Sequence, residues 1–398
     1  MRPLQCRLVS VSLAAWLLIP GLSANAATQT REPDTEALAK AAAKAAGQFQ
    51  PAIEAYRRAL AQNPAWWQGW ESLGMLLADR GEYAQAHEAF ETLVKLQPKR
   101  GDAWVLLGIC EFRLGQYDPA VGHLEKARTF DITDKVLLRL LYYYSAAIMI
   151  LRGDFDTAQV RLLLLSREGV TSDELMEAYG LAALRIPTLP GQEPPAMRGV
   201  ALEVGRLVTR SRHMTVEESR EGFEKLIAKY PNLAGLQYAY GKYLASHTLF
   251  REACEAFKAE LRNSPRDATT RLQIAAIQSQ QLNQPKEALP LAEEAAQLAP
   301  GLFAGHFVLG RILLKLGETD RAVTELETAA KLAPDSVMIH HVLLTAYNKA
   351  NRREDAAREQ EALRRLQEFE AKLKGQGSEN SAKGAAEGGQ NPPASTPP

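Results

Sequence analysis

Large apolar residues recur along this chain at intervals of three and four, in runs of about fourteen residues broken by glycine, proline or short polar stretches. That period predicts amphipathic helices, each roughly 21 Å long. Successive runs come in pairs with a tight turn between them, so the expected unit is a helical hairpin. A lone hairpin leaves its apolar face in water, and stacked neighbours must cover it.

A longer period sits on top of the helical one. Prolines stand at Pro64, Pro98, Pro231, Pro265, Pro300 and Pro334, with spacings of 34, then 34, 35 and 34 in the second run. Proline lacks an N–H and disfavours helix in the residue before it, so each one stops a helix and admits the next. Twelve residues before each proline is a small side chain: Ala52, Ala86, Ser219, Ala253, Ala288 and Ala322. Twelve earlier again come Gly74, Gly241, Ala276 and Gly310, and other units keep these columns without the proline, as Gly108 and Ala120 do. Small residues there let two antiparallel helices approach closely. Four positions after the second small residue a large one returns, in Tyr56, Phe90, Leu124, Leu162, Phe223, Phe257 and Leu326. Gly47, Gly81, Gly115, Gly153 and Gly317 fall where the turn needs a positive φ.

The segment Trp70-Glu71-Ser72-Leu73-Gly74-Met75-Leu76-Leu77, followed by Ala86 to Phe90 and then Pro98, resembles the tetratricopeptide repeat. The columns place repeats at about 33–66, 67–100, 101–134, 139–172, 200–233, 234–267, 269–302 and 303–336, with a weaker ninth at 337–370. The resemblance implies an all-α, right-handed α-solenoid of helix-turn-helix units. In such a superhelix the first helices line a concave face that holds a peptide or protein.

Several stretches depart from the pattern. Residues 1–26 carry Arg2 and Arg7, an apolar core from Leu8 to Ile19 and a small-residue end at Ala24-Asn25-Ala26, the form of a cleaved signal peptide. The expected location is therefore exported, periplasmic or secreted, with an uncleaved membrane anchor as the alternative. After the N-terminal array (33–172), residues 173–199 read as an irregular helix followed by a loop with prolines at Pro187, Pro190, Pro194 and Pro195. That loop is either a tolerated insertion or a partner-contacting element. The C-terminal array (200–370), its last unit capping, leads into a tail over 371–398 rich in Gly, Ser, Pro and Ala, which reads as disordered.

Composition narrows the function. Lys plus Arg and Asp plus Glu both number 47, a zero net charge that excludes a general basic footprint for nucleic acid. Three cysteines cannot frame a disulfide scaffold, so Cys110 and Cys254 are expected as free thiols. The histidines lack metal-ligand spacing, and His306 and His340 stand in the column that holds Trp70 and Trp104, as helix-packing residues. Phosphate-binding loops and nucleophile elbows are absent from the sequence. No enzyme, metal or cofactor is expected.

The resemblance also implies which side chains line the groove. In the front half these include Met75, Val105, Ile109, Phe112 and Tyr143; in the rear half Tyr238, Lys242, Phe307, Arg311, Lys315 and Lys349. Chaperone-adaptor members grip a terminal carboxylate with a Lys–Asn pair bracketing the first small residue. Here those places read Glu71/Met75, Val105/Ile109 and Phe307/Arg311, so that clamp is missing. The leading expectation is a non-enzymatic scaffold or assembly factor for a protein or peptide partner, with no nucleic acid and no membrane span after signal cleavage. The alternatives are a structural subunit of a cell-envelope complex and a carbohydrate or cell-wall binder using Trp66, Tyr143 and Tyr238.

Overall fold

The computed structural model describes residues 49–132, 134–167, 172–209 and 215–368. The expected leader (1–26), the opening of the first repeat and the tail over 371–398 lie outside the described residues. Two compact units divide the chain. Unit 1 runs to Ala178 and includes Pro187–Pro194; unit 2 takes Tyr179–Ile186 and the chain from Pro195 on.

Unit 1 holds α1 (Phe49–Gln62), α2 (Trp67–Asp79), α3 (Tyr83–Leu96), α4 (Gly101–Arg113), α5 (Tyr117–Ala127), α6 (Lys135–Leu151) and α7 (Phe155–Arg167). It also takes the first residues of α8 (Asp173–Ala183), whose last turn belongs to unit 2. Unit 2 continues with α9 (Pro195–Thr209), α10 (Val216–Lys229), α11 (Leu236–Ser246), α12 (Phe250–Asn263), α13 (Ala268–Gln280) and α14 (Pro285–Leu298). After these come α15 (Phe303–Leu316), α16 (Thr319–Leu332), α17 (Val337–Lys349) and a charged helix, α18, described over 353–368. No strand occurs among the described residues. Consecutive helices pair as α2–α3, α4–α5 and α6–α7 in unit 1, and as α11–α12, α13–α14 and α15–α16 in unit 2, each pair lying against the next. The architecture is an all-α solenoid of hairpins.

The sequence columns become contacts. A Cβ on Gly74 would stand 2.5 Å from the Phe90 ring, one on Gly241 2.7 Å from Phe257 and one on Gly310 2.6 Å from Leu326. The first small position is therefore the socket for the large residue that follows the second small position, and both disappear from solvent. Phe90, Phe223 and Phe257 are among the largest fully buried side chains.

The Trp column makes a second contact that its apolar character conceals. Trp70 Nε1 donates to the Pro64 carbonyl at 2.8 Å, and Trp104 Nε1 to the Pro98 carbonyl at 2.9 Å. His306 and His340 place Nε2 3.0 and 2.8 Å from the carbonyls of Pro300 and Pro334. The chain end left open where one helix stops at proline is thus bound by a ring nitrogen from the next first helix. Histidine adds a further partner: Nδ1 of His306 lies 2.7 Å from Glu325, and that of His340 pairs with Glu359.

Within unit 2 two backbone approaches are tighter than any side chain would allow. A Cβ on Gly180 would lie 1.8 Å from the Ala201 carbonyl oxygen, so α8 packs on α9 backbone to backbone. Gly235, at φ +85°, would put one 2.0 Å from the Leu184 carbonyl oxygen. Glu260 of α12, 1 % exposed, then caps α11 from outside: its carboxylate accepts the N–H of Gly235 at 2.8 Å and of Tyr238 at 3.2 Å. In unit 1 the proline-rich loop folds inward. Leu189 and Glu193 are buried, and the Gly191 N–H donates to the carboxylates of both Glu177 and Glu193.

Candidate functional site

The side chains expected to line the first-helix face divide by burial. In unit 1, Met75, Phe112 and Tyr143 keep part of their surface. Val105 and Ile109, at 0 % and 2 % exposure, do not. The reason is α4 itself: every residue from Gly101 to Glu111 is buried, because α3, α5 and α6 all pack on it. A helix packed on several sides over that length keeps surface for a ligand only at its C-terminal end, at Phe112 and Arg113.

In unit 2, Tyr238 and Phe307 are 3 % and 6 % exposed and also withdraw from the expected groove. Tyr238 leans on Phe257, with ring centroids 5.5 Å apart, and Arg185 covers it with a guanidinium 4.8 Å from its ring. Arg185 follows α8 in the left-handed conformation (φ +57°) and pairs with Asp267, the N-cap of α13. The carbohydrate reading thereby loses one of its three aromatic residues. Lys315 is exposed and donates its Nζ to the Ser279 carbonyl near the end of α13. Arg311 lies over the Phe307 ring at 5.5 Å, Lys242 is partly exposed and Lys349 is exposed on α17.

What remains of the apolar part of the expected face is concentrated in unit 1, beside a cavity of about 10 Å³ whose lining includes Met75, Asp79, Tyr83, Phe90, Ile109 and Cys110. That volume suits roughly one water molecule. Asp79 contributes the polar wall: its Oδ1 is buried without a hydrogen-bond partner, and burial pushes its carboxyl above the usual range. A raised acid binds protons more readily folded than unfolded, so ionised Asp79 opposes folding and protonation relieves it. Asp79→Asn is therefore expected to raise the melting temperature at pH 7, with the gain shrinking as the pH falls toward 4. Thermal melts of both chains at the two pH values check it; a gain independent of pH would show that the carboxylate is not the cause.

The opposite wall is Cys110. Burial, with Glu111 beside it, pushes its thiol up to about 12, and the residue is 1 % exposed. Cys254 is likewise free and buried, and its thiol is also raised by burial. Neither thiol should react with an aromatic disulfide reagent at pH 8 until the chain unfolds. Absorbance of the released thiolate, with and without denaturant, measures this, and prompt reaction in the folded chain would contradict it.

Tyr83 joins the cavity to a cation. Arg113, the last residue of α4, sits between the rings of Tyr83 and Tyr144, 5.8 and 5.7 Å from their centroids. Its Nη2 donates to Tyr144 Oη at 2.9 Å. Phe112 meets Tyr144 and Tyr117 at 4.8 and 5.4 Å, and Tyr143 meets Tyr144 at 5.5 Å, so aromatic edges continue past the arginine. Burial raises the Tyr144 hydroxyl, with Arg113 acting against it. Behind this face Glu111, 3 % exposed, accepts from His123 Nδ1 at 2.8 Å and lies 3.5 Å from His87 Nε2. Among the described residues no group of three or more His, Cys, Asp and Glu is arranged to hold a metal ion. None of their helices is long and apolar enough to cross a membrane.

Asp79, Tyr83 and Arg113 were not among the expected face residues. An arginine in the last turn of a helix reads from sequence as a partner of the helix dipole, and nothing local signals that two tyrosines from other helices will frame it.

Hairpins stacked in this way, with a partly exposed aromatic face, define an α-helical repeat protein. Two family models, each described as tetratricopeptide repeat, match residues 37–86 and 72–134 in one case and 279–344 in the other, so the repeats there are tetratricopeptide repeats. No curated protein sequence matches the chain. Among solved structures, MamA 41-end from Desulfovibrio magneticus RS-1 is 20 % identical, covers 43 % of this chain and 94 % of its own, and has a TM-score of 0.37. A MamA RS-1 double mutant is 19 % identical over 42 % of this chain and 94 % of its own, TM-score 0.40. YrrB, described as a TPR protein with an unusual peptide-binding site, is 19 % identical over 42 % of this chain and 85 % of its own, TM-score 0.36.

Proposed function

We propose that this protein is a non-enzymatic scaffold that binds a segment of another protein across the first-helix face of unit 1. The observation that carries the reading is the set of large side chains left partly exposed there, Met75, Phe112 and Tyr143 of the first helices with Tyr83 at the start of α3 beside them. Apolar surface held open on a solenoid of short helices is suited to an amphipathic helix or an extended peptide. In this reading unit 2 serves as frame more than as receptor, since Tyr238 and Phe307 are buried by contacts within the chain. The first 26 residues support export to the periplasm or beyond, and N-terminal sequencing of the mature chain tests that separately.

The binding test is crosslinking in the native compartment followed by mass spectrometry, repeated with a Met75→Asp/Phe112→Asp chain whose helicity is checked by circular dichroism. Partners captured by the natural chain should be lost from the folded variant. Unchanged capture would remove this face as the binding site.

A further inference from the structure

Arg113 is a half-buried cation with no anion beside it among the described residues. It makes no ion pair among the described residues; its hydrogen bond goes to a neutral phenol, and its Nε is buried without a partner. The acids nearest in sequence are committed elsewhere, Glu111 to His123 and Asp118 to Arg152. Removing a cation from water without a counter-charge costs free energy, and the tyrosine rings that hold the guanidinium make it a poor surface arginine but a well-oriented receptor. A guanidinium so fixed matches a carboxylate, which takes two parallel N–H bonds.

We propose that Arg113 is the specificity-determining subsite of this face and receives the carboxylate of an aspartate or glutamate side chain within the partner segment. This rests on the reading of unit 1 as the binding face. An internal acidic residue fits better than a chain end, because apolar surface lies on both sides of the guanidinium: Met75 and Tyr83 toward the cavity, Phe112 and Tyr143 beyond. The partner segment runs through the site, with an apolar side chain next to its acidic one.

The test uses random twelve-residue peptides displayed between linkers, so that none has a free C-terminus near the site, selected on the full chain. Peptides selected by the natural chain should share an aspartate or glutamate beside an aliphatic or aromatic residue. Changing that acid to its amide should weaken binding about tenfold by calorimetry, a typical loss for a charge-assisted bond. Arg113→Met should cause the same loss, and the two changes together no more than either alone. Arg113→Lys, which keeps the charge but not the fork, should fall between. If the Arg113→Met chain does not fold, the peptide substitutions on the natural chain decide the matter. Selected peptides with no shared acid, or full affinity in Arg113→Met, would overturn the subsite and leave the scaffold reading standing. Failure to select any peptide would overturn both.

Discussion

Gly235→Ala is expected to destabilise unit 2 by on the order of 3 kcal/mol, summing backbone strain and a steric overlap. The residue stands at φ +85°, and the added methyl would meet the Leu184 carbonyl oxygen at 2.0 Å. An oxygen of the main chain cannot swing aside as the end of a side chain can, so either α8 or the start of α11 must move. Gly180→Ala should be comparably harmful for the same reason, its Cβ falling 1.8 Å from the Ala201 carbonyl oxygen. Gly81→Ala is the control: its φ is +78°, but nothing lies within 4 Å of the new methyl, so about 1 kcal/mol of strain is all it should show. Denaturant unfolding followed by circular dichroism separates the cases. Equal losses for Gly81 and Gly235 would show that the close approach to Leu184 is not present in solution.

Glu260→Ala should cost about 3 kcal/mol, because it strands two backbone donors rather than merely deleting a side chain. The carboxylate is 1 % exposed and accepts Gly235 N–H, Tyr238 N–H and, at 3.1 Å, the hydroxyl of Ser264. Glu260→Gln keeps one oxygen acceptor and should lose less than half as much. The paired measurement is informative: if both substitutions cost the same, the charge rather than the capping of α11 is what matters. Loss of protection at the Gly235 and Tyr238 amides in hydrogen exchange would locate the damage.

Much of the fold was legible because the repeat states the same contact several times. Gly74 with Phe90, Gly241 with Phe257 and Gly310 with Leu326 are one socket written at a spacing of sixteen residues, and any single copy would have been a weak signal. The Trp column was legible as packing but not as hydrogen bonding, since a proline carbonyl has no sequence signature. The candidate face was half legible. Met75, Phe112 and Tyr143 keep surface as expected, whereas Val105 and Ile109 occupy equivalent repeat positions and are lost to packing. Repeat position fixes the direction of a side chain on its helix; how closely the neighbouring helices press on it is set by their side chains.

By itself, then, the sequence determined the helices, their pairing and the stacking rule, because those depend on periodicity and on contacts a few turns away. Only the tertiary structure decided which of the expected surface residues are covered, that Arg185 lies over Tyr238, that Glu260 caps a helix from outside and that Arg113 lies against two tyrosines with no counter-charge among the described residues. Each of these contacts joins residues from different helices or the turns beside them, most of them far apart in the chain, and no local pattern records the distance between them.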